Sequence, residues 1–161
     1  MPSWYLTSDS DKSLLALYRR HYSANPINRN TRHKVSGPGN IIALRTFDCS
    51  AGFIWRLHLD QTINADKPGE RQRGVECSFF RNESPETFLS SDLIREADTI
   101  ADFIWPGSRH YTKVDPSRIG QHNPSSNPGY CFKCAGWHTA GRTKGGLLIL
   151  EKIFSLPSLS P

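Results

Sequence analysis

The sequence predicts a mixed α/β domain whose sheet is mostly antiparallel, with about six to seven strands flanked by helices. Three observations carry that expectation. In Ala51–Leu59, Phe53, Trp55 and Leu57 alternate with Ile54, Arg56 and His58, the period-two pattern of a half-buried strand. In Ser91–Trp105, Leu93, Ile94, Ala97, Ile100, Ala101 and Ile104 recur at three- and four-residue spacing, the pattern of a helix with one buried face. Between Gly74 and Val114 a strand, a polar loop, that helix and a further strand follow one another.

Taken in chain order, Ser3–Leu6 reads as a short strand. Asp9–Tyr22 reads as a helix capped by Ser8 or Ser10, with Leu14, Leu17, Tyr18 and His21 on one face. Asn25–Gly39 is rich in Asn, Pro, Gly and basic residues and reads as a loop. Asn40–Thr46 and Ala51–Leu59 form an antiparallel pair across Phe47-Asp48-Cys49-Ser50, and the polar stretch Asp60–Arg73, with its Pro68-Gly69, is a loop. Gly74–Arg81 is the next strand. Pro106-Gly107 stops the long helix, Ser108–Val114 is a strand, and Asp115–Ser126 is a loop. Pro128–Ala135 suits a short helix with Asn127 as its cap. His138–Thr143 and Gly146–Lys152 close the fold as a hairpin across Lys144-Gly145. Residues 1–154 are expected to form one domain, followed by a flexible tail over 155–161.

Composition bounds the function. The chain has 161 residues, 37% hydrophobic and 22% charged, which suits one globular domain with a real core. No apolar run approaches the roughly 20 residues of a membrane span, and Met1-Pro2-Ser3-Trp4 lacks the order of a signal peptide. A cytoplasmic location without membrane contact is the expectation. Four cysteines, Cys49, Cys77, Cys131 and Cys134, fit a reducing compartment. The net charge of +5, from 20 Lys and Arg against 15 Asp and Glu, permits an acidic partner such as nucleic acid or cofactor phosphates.

Several constellations carry chemistry. Arg81, Asn82, Ser90 and Ser91 surround the start of the long helix, where free N–H groups and a guanidinium suit a phosphate; a plain helix cap beside a solvated arginine is the alternative. His21 offers a general base near neutral pH, with Tyr22 beside it; a histidine favoured by the helix dipole is the alternative. His110, Tyr111 and Asp115 lie on or just past a strand's carboxyl end, where ligand crevices form, and Tyr111 could donate a proton or simply fill the core. Arg29, Arg32, His33 and Lys34 in the loop, extended by Arg142 and Lys144, suit the phosphates of a polynucleotide, or form a solvated surface. Cys131-x-x-Cys134 with His138 resembles half a metal site. Structural zinc needs four ligands, no second pair exists, and a loop residue such as His122 or His110 would have to contribute, so no metal is expected.

The element order is similar to that of the GNAT, or N-acetyltransferase, superfamily from about Ser3 to Lys152. The segment Phe132-Lys133-Cys134-Ala135-Gly136-Trp137 resembles that superfamily's Tyr-x-Lys-x-Gly-Phe ending of the last helix. Two positions depart from the pattern. The pyrophosphate loop, glycine-rich in the superfamily, reads here Glu86-Thr87-Phe88-Leu89-Ser90-Ser91, and the usual general-acid tyrosine is Phe132. His21-Tyr22-Ser23 at the end of the first helix also resembles divergent phage proteins related to the phage Mu protein that modifies adenine in DNA. These resemblances imply a transferase that uses acetyl-CoA or a related acyl-CoA and an amine-bearing acceptor, with an adenine amine of DNA as a second acceptor class. In the second case Trp55 and Trp137 could stack on a flipped base. They imply His21, Tyr22, Tyr111 and Asp115 as catalytic residues. A non-catalytic nucleic-acid-binding domain is a third expectation.

Overall fold

The computed structural model describes residues 1–59, 72–119 and 127–156. Its strands are β1 (Tyr5–Thr7), β2 (Asn40–Arg45), β3 (Ala51–Leu57), β4 (Val75–Asn82), β5 (His110–Val114), β6 (His138–Arg142) and β7 (Leu148–Lys152). Its helices are α1 (Lys12–Arg19), α2 (Ser90–Ile104), α3 (Pro116–Ile119) and α4 (Tyr130–Cys134). All seven strands join one sheet in the order β1-β2-β3-β4-β5-β7-β6. Every pairing is antiparallel except that of β4 with β5. The mixed, mostly antiparallel class is as the hydrophobic patterns predict. The loop expected at Asp60–Arg73 and the tail expected at 155–161 lie largely outside the described residues.

The strand alternation divides the core between two faces. Ile42, Leu44, Phe53, Trp55, Val75 and Cys77 pack with Leu93, Ile94, Ala97 and Ala101 of α2 and Phe132 of α4. Ala43, Ile54 and Phe79 point the other way and pack against Leu14, Leu15, Leu17 and Tyr18 of α1. Helices therefore cover both faces of the sheet centre, which is why β3 is buried on both sides and not half-buried. Gly52 permits the approach of α1: a Cβ there would lie 2.5 Å from Leu14 Cδ2.

Four local expectations are corrected. Helix α1 ends at Arg19 and not at Tyr22, because the chain turns to bury Ala24 and Val35 in the α1-side core. Its cap is Asp11, whose Oδ1 accepts from Ser13 N at 2.7 Å, rather than either flanking serine. A short helix, α3, stands inside the expected loop after Val114, since Asp115 accepts from Ser117 N (3.0 Å) and Pro116 supplies a first helical residue that needs no donor. The cap of α4 is Gly129 in the left-handed region (φ 72°), not Asn127.

Candidate active site

The site arises where β4 and β5 part. Their parallel register runs only from Val75↔His110 to Cys77↔Thr112. Thr112 Oγ1 donates to Cys77 O (2.9 Å) at that last rung. On the other side of β4 the register with β3 slips between Ile54↔Phe79 and Trp55↔Cys77, so Ser78 is matched to no residue in either ladder. This is a β-bulge, a device that re-aims backbone and side chain. Ser78 Oγ is buried without a hydrogen-bond partner.

A cavity of about 420 Å³ fills the gap between the strands. Cys77, Ser78, Phe79 and Phe80 of β4 face Thr112, Lys113 and Val114 of β5, with Tyr130, Cys131 and Phe132 of α4 closing one end and His21, Tyr22 and Ser23 the other. Its wall is mostly apolar. Tyr22, Ser23 and Lys113 also line a second cavity of about 440 Å³, together with Ala24, Asn25, Pro26, Asp115, Arg118 and Leu147. The two spaces thus share the turn that follows α1.

His21 leaves that turn with a defined tautomer. Ser23 N donates to its Nδ1 (3.1 Å), so Nδ1 carries a lone pair, and Ser23 Oγ lies 2.6 Å from the same atom. The ring packs against Tyr22 (4.5 Å between centroids) and Phe79 (5.3 Å). Burial, and secondarily the nearby Arg81 guanidinium, lower its pKa to about 4 against an opposing hydrogen bond with the Phe80 backbone. His21 is therefore neutral at pH 7. Tyr22 is half-buried and its pKa is raised, chiefly by burial; Arg118 Nη1 holds its carbonyl oxygen (2.8 Å).

The remaining expected catalytic residues are placed otherwise. Tyr111 is buried beside Arg109 and lines neither cavity, so it is a core aromatic; burial raises its pKa, which opposes ionisation. Asp115 borders the second cavity, but its carboxylate accepts from Ser117 N and Ser117 Oγ (2.6 Å), bonds that lower its pKa and fit a helix cap.

The four residues expected to hold phosphates are bonded to other protein groups or buried. Arg81 is spent on Glu83 (2.7 Å) and Arg20 O (2.8 Å). Glu83 also binds Arg20, whose hydrogen bond, joined by that of Arg81 against the effect of burial, holds the carboxyl at about 2. Asn82 Nδ2 donates to Phe88 O (2.6 Å) and Ser90 Oγ (3.0 Å) and so braces the loop entering α2. Leu89 is the cap of α2, without a side-chain bond; Ser90 and Ser91 are its first two residues, and Ser91 is buried. None of the four lines either cavity.

The basic residues separate into two kinds. Arg32 straps the loop to α1 through Tyr18 Oη (2.8 Å), Val35 O (3.0 Å) and Lys34 O (3.1 Å). Arg29, Lys34, Arg142 and Lys144 are exposed. Asn25 and Pro26 at the start of the loop bearing the first two, and Leu147 after the turn bearing Lys144, line the second cavity, but the four basic residues themselves do not. Trp55 and Trp137 are buried and donate to Ala97 O (2.9 Å) and Asp98 Oδ2 (3.0 Å), which removes them as platforms for a base.

Cys131 borders the first cavity while Cys134 is exposed, and His138 is bound to Glu151 (3.1 Å). Among the described residues no group of three His, Cys, Asp or Glu side chains could hold a metal ion, and no helix is long and apolar enough to cross a membrane. His122 lies outside the described residues. Sequence reasoning missed Ser78, whose signal was only a serine inside an apolar strand, and Ser23, noticed as part of a tripeptide but given no role. No family model, curated protein or solved structure matches the chain.

Proposed function

We propose that the protein is a GNAT-like group transferase that moves an acyl or related group from an activated donor, such as an acetyl-CoA-type thioester, onto an amine. The observation that carries this reading is the cavity at the parting of the parallel strands, with a neutral imidazole on its rim. Ligands in open α/β sheets bind beyond the carboxyl ends of parallel strands. The apolar wall and the unpartnered Ser78 hydroxyl fit an acyl carbonyl that needs a hydrogen-bond donor. The fit ends at the acyl arm: Arg81, Asn82, Ser90 and Ser91 are committed elsewhere and supply no pyrophosphate cradle. An amine must lose a proton to attack a carbonyl, and an unprotonated imidazole beside the cavity suits that need.

The adenine amine of DNA is the second acceptor reading. Lys113 and Arg118 in the wall of the second cavity favour it, together with the exposed Arg29, Lys34, Arg142 and Lys144 elsewhere on the surface. Tyr22 and the exposed Tyr130 are aromatics at the cavity suited to stacking. The test is incubation with acetyl-CoA and amine acceptors, following free thiol release, alongside nucleoside mass spectrometry of DNA from expressing cells. Amine-dependent thiol release that falls in His21→Asn supports the transferase, and a mass-shifted adenosine supports the DNA acceptor. Absence of both, together with calorimetry that detects no donor binding, removes the enzyme reading and leaves a nucleic-acid-binding domain.

A further inference from the structure

We propose that Ser23 is a nucleophile activated by His21, and that it carries the transferred group covalently between the two cavities. The inference rests on the transferase reading and deepens it. Ser23 lines both spaces and is exposed, so a donor in one and an acceptor in the other can each reach its hydroxyl. The hydroxyl must be the donor in its 2.6 Å contact with His21 Nδ1, because the Ser23 backbone N–H already donates to that nitrogen. The base's lone pair is thus shared between the backbone N–H and the nearer hydroxyl of Ser23, which places the serine proton within transfer distance of the base, the relation required for nucleophilic catalysis. The imidazole packs against the Phe79 and Tyr22 rings.

The chemistry balances without further reagents. Ser23 Oγ attacks the carbonyl carbon of an acyl thioester while its proton passes to His21 Nδ1. The carbonyl oxygen takes the electron pair, and the Ser78 hydroxyl lies in the same cavity wall to donate to it. Collapse breaks the C–S bond, the thiolate takes the proton from His21, and an ester to Ser23 remains. The amine then attacks that ester, its proton moves to His21, the C–O bond breaks, and Ser23 Oγ recovers the proton. The donor is released before the acceptor reacts, so one shared turn can serve two cavities.

A serine-directed fluorophosphonate probe and p-nitrophenyl acetate test this without requiring coenzyme A. The expected result is stoichiometric labelling of the Ser23 peptide by the probe, and addition of one acetyl group there by the ester, each located by peptide mass spectrometry. Ser23→Ala should abolish both, and His21→Asn should slow labelling by about 100-fold or more, with circular dichroism confirming that each variant folds. Wild-type protein that leaves Ser23 unlabelled overturns the proposal, as does labelling whose rate is unchanged in His21→Asn. The failures are separable. If Ser23→Ala still transfers acetyl groups from acetyl-CoA to an amine at the wild-type rate, the serine relay falls and direct transfer stands. If Ser23 acylates with the aryl ester but no thioester donates, the relay stands and the thioester-dependent transferase falls.

Discussion

Replacing Asp98 with Ala should remove a large share of the protein's stability. Asp98 is 2% exposed on the sheet-facing side of α2. Its Oδ1 accepts from His110 Nδ1 (2.8 Å), and its Oδ2 accepts from Trp137 Nε1 and Lys152 Nζ, each at 3.0 Å. One carboxylate thereby ties α2 to β5, to the segment between α4 and β6, and to β7. Truncation strands the His110 and Trp137 donors, and each buried donor without an acceptor costs about 1–3 kcal/mol. Lys152 keeps Ala135 O (2.9 Å) and reaches solvent, so its share is small. The sum is about 2–6 kcal/mol, which brackets the about 3–5 kcal/mol for breaking a buried ionic network by removing one partner, against a total of about 5–15 kcal/mol for a typical domain. Asp98→Asn should cost less. The amide oxygen can face Trp137 and Lys152 while its NH2 donates to His110 Nδ1, if the ring moves its proton to Nε2, an atom with no partner in the native arrangement. Urea unfolding followed by tryptophan fluorescence reads both variants, with an unchanged slope required for the comparison. An Asp98→Ala variant within about 1 kcal/mol of wild type would refute the accounting.

Arg32→Ala should lower stability by about 1–2 kcal/mol through its lost bonds to Tyr18, Val35 and Lys34, whereas Arg29→Ala with Lys34→Ala should stay within about 0.5 kcal/mol each. If DNA binds, the double variant should flatten the salt slope of binding by about one unit per lost phosphate contact; thermal midpoints that reverse this order would show the strap has been misread. His21 should remain neutral down to about pH 4, because burial and Arg81 disfavour its charge, with Tyr22, Ser23 and the Phe80 backbone as its other polar neighbours. The unfolded chain binds that proton near pH 6.5, so the stability His21 contributes is complete above 6.5 and is lost as pH falls towards 4. Titration of the ring C2 proton by NMR should give a midpoint near 4, rising in Arg81→Gln; a wild-type midpoint near 6.5 would contradict the neutral ring.

The sheet was legible because its signals are local. The alternation read in β3 marks a strand correctly but not its half-burial, because helices cover both faces there, whereas three-and-four spacing in α2 reports burial one residue at a time and survives in the structure. The same spacing misled at the end of α1. His21 sits three residues after Tyr18, in step with the apolar stripe, yet it leaves the helix, because the burial of Ala24 and Val35 is a tertiary demand that no helical pattern encodes. The phosphate reading of Arg81, Asn82, Ser90 and Ser91 weakened for a related reason. Residue type suited an anion, but Glu83, two places from Arg81, and the backbone of Phe88 compete for the same donors. Asp98 did carry a sequence signal. It stands four residues after Ile94 and three before Ala101, on the buried face of α2, where a carboxylate requires several donors.

The site itself depends on where two strands stop pairing, and that point is set by few groups. Thr112 uses its side chain on the Cys77 carbonyl at the last rung of the β4–β5 ladder, and the next residue of β4 is the unmatched Ser78. A bulge on one side of β4 and a terminated ladder on the other turn the same few residues away from both neighbours. The gap so made is lined by Phe79 from the α1-side core and by Phe80 and Phe132 from the α2 side. The early end of α1 then becomes consequential. Had the helix continued through Tyr22, His21 and Ser23 would stand two residues apart on a helix and face different directions. The turn instead brings Ser23 Oγ to Nδ1 of His21, with Ser23 lining both cavities.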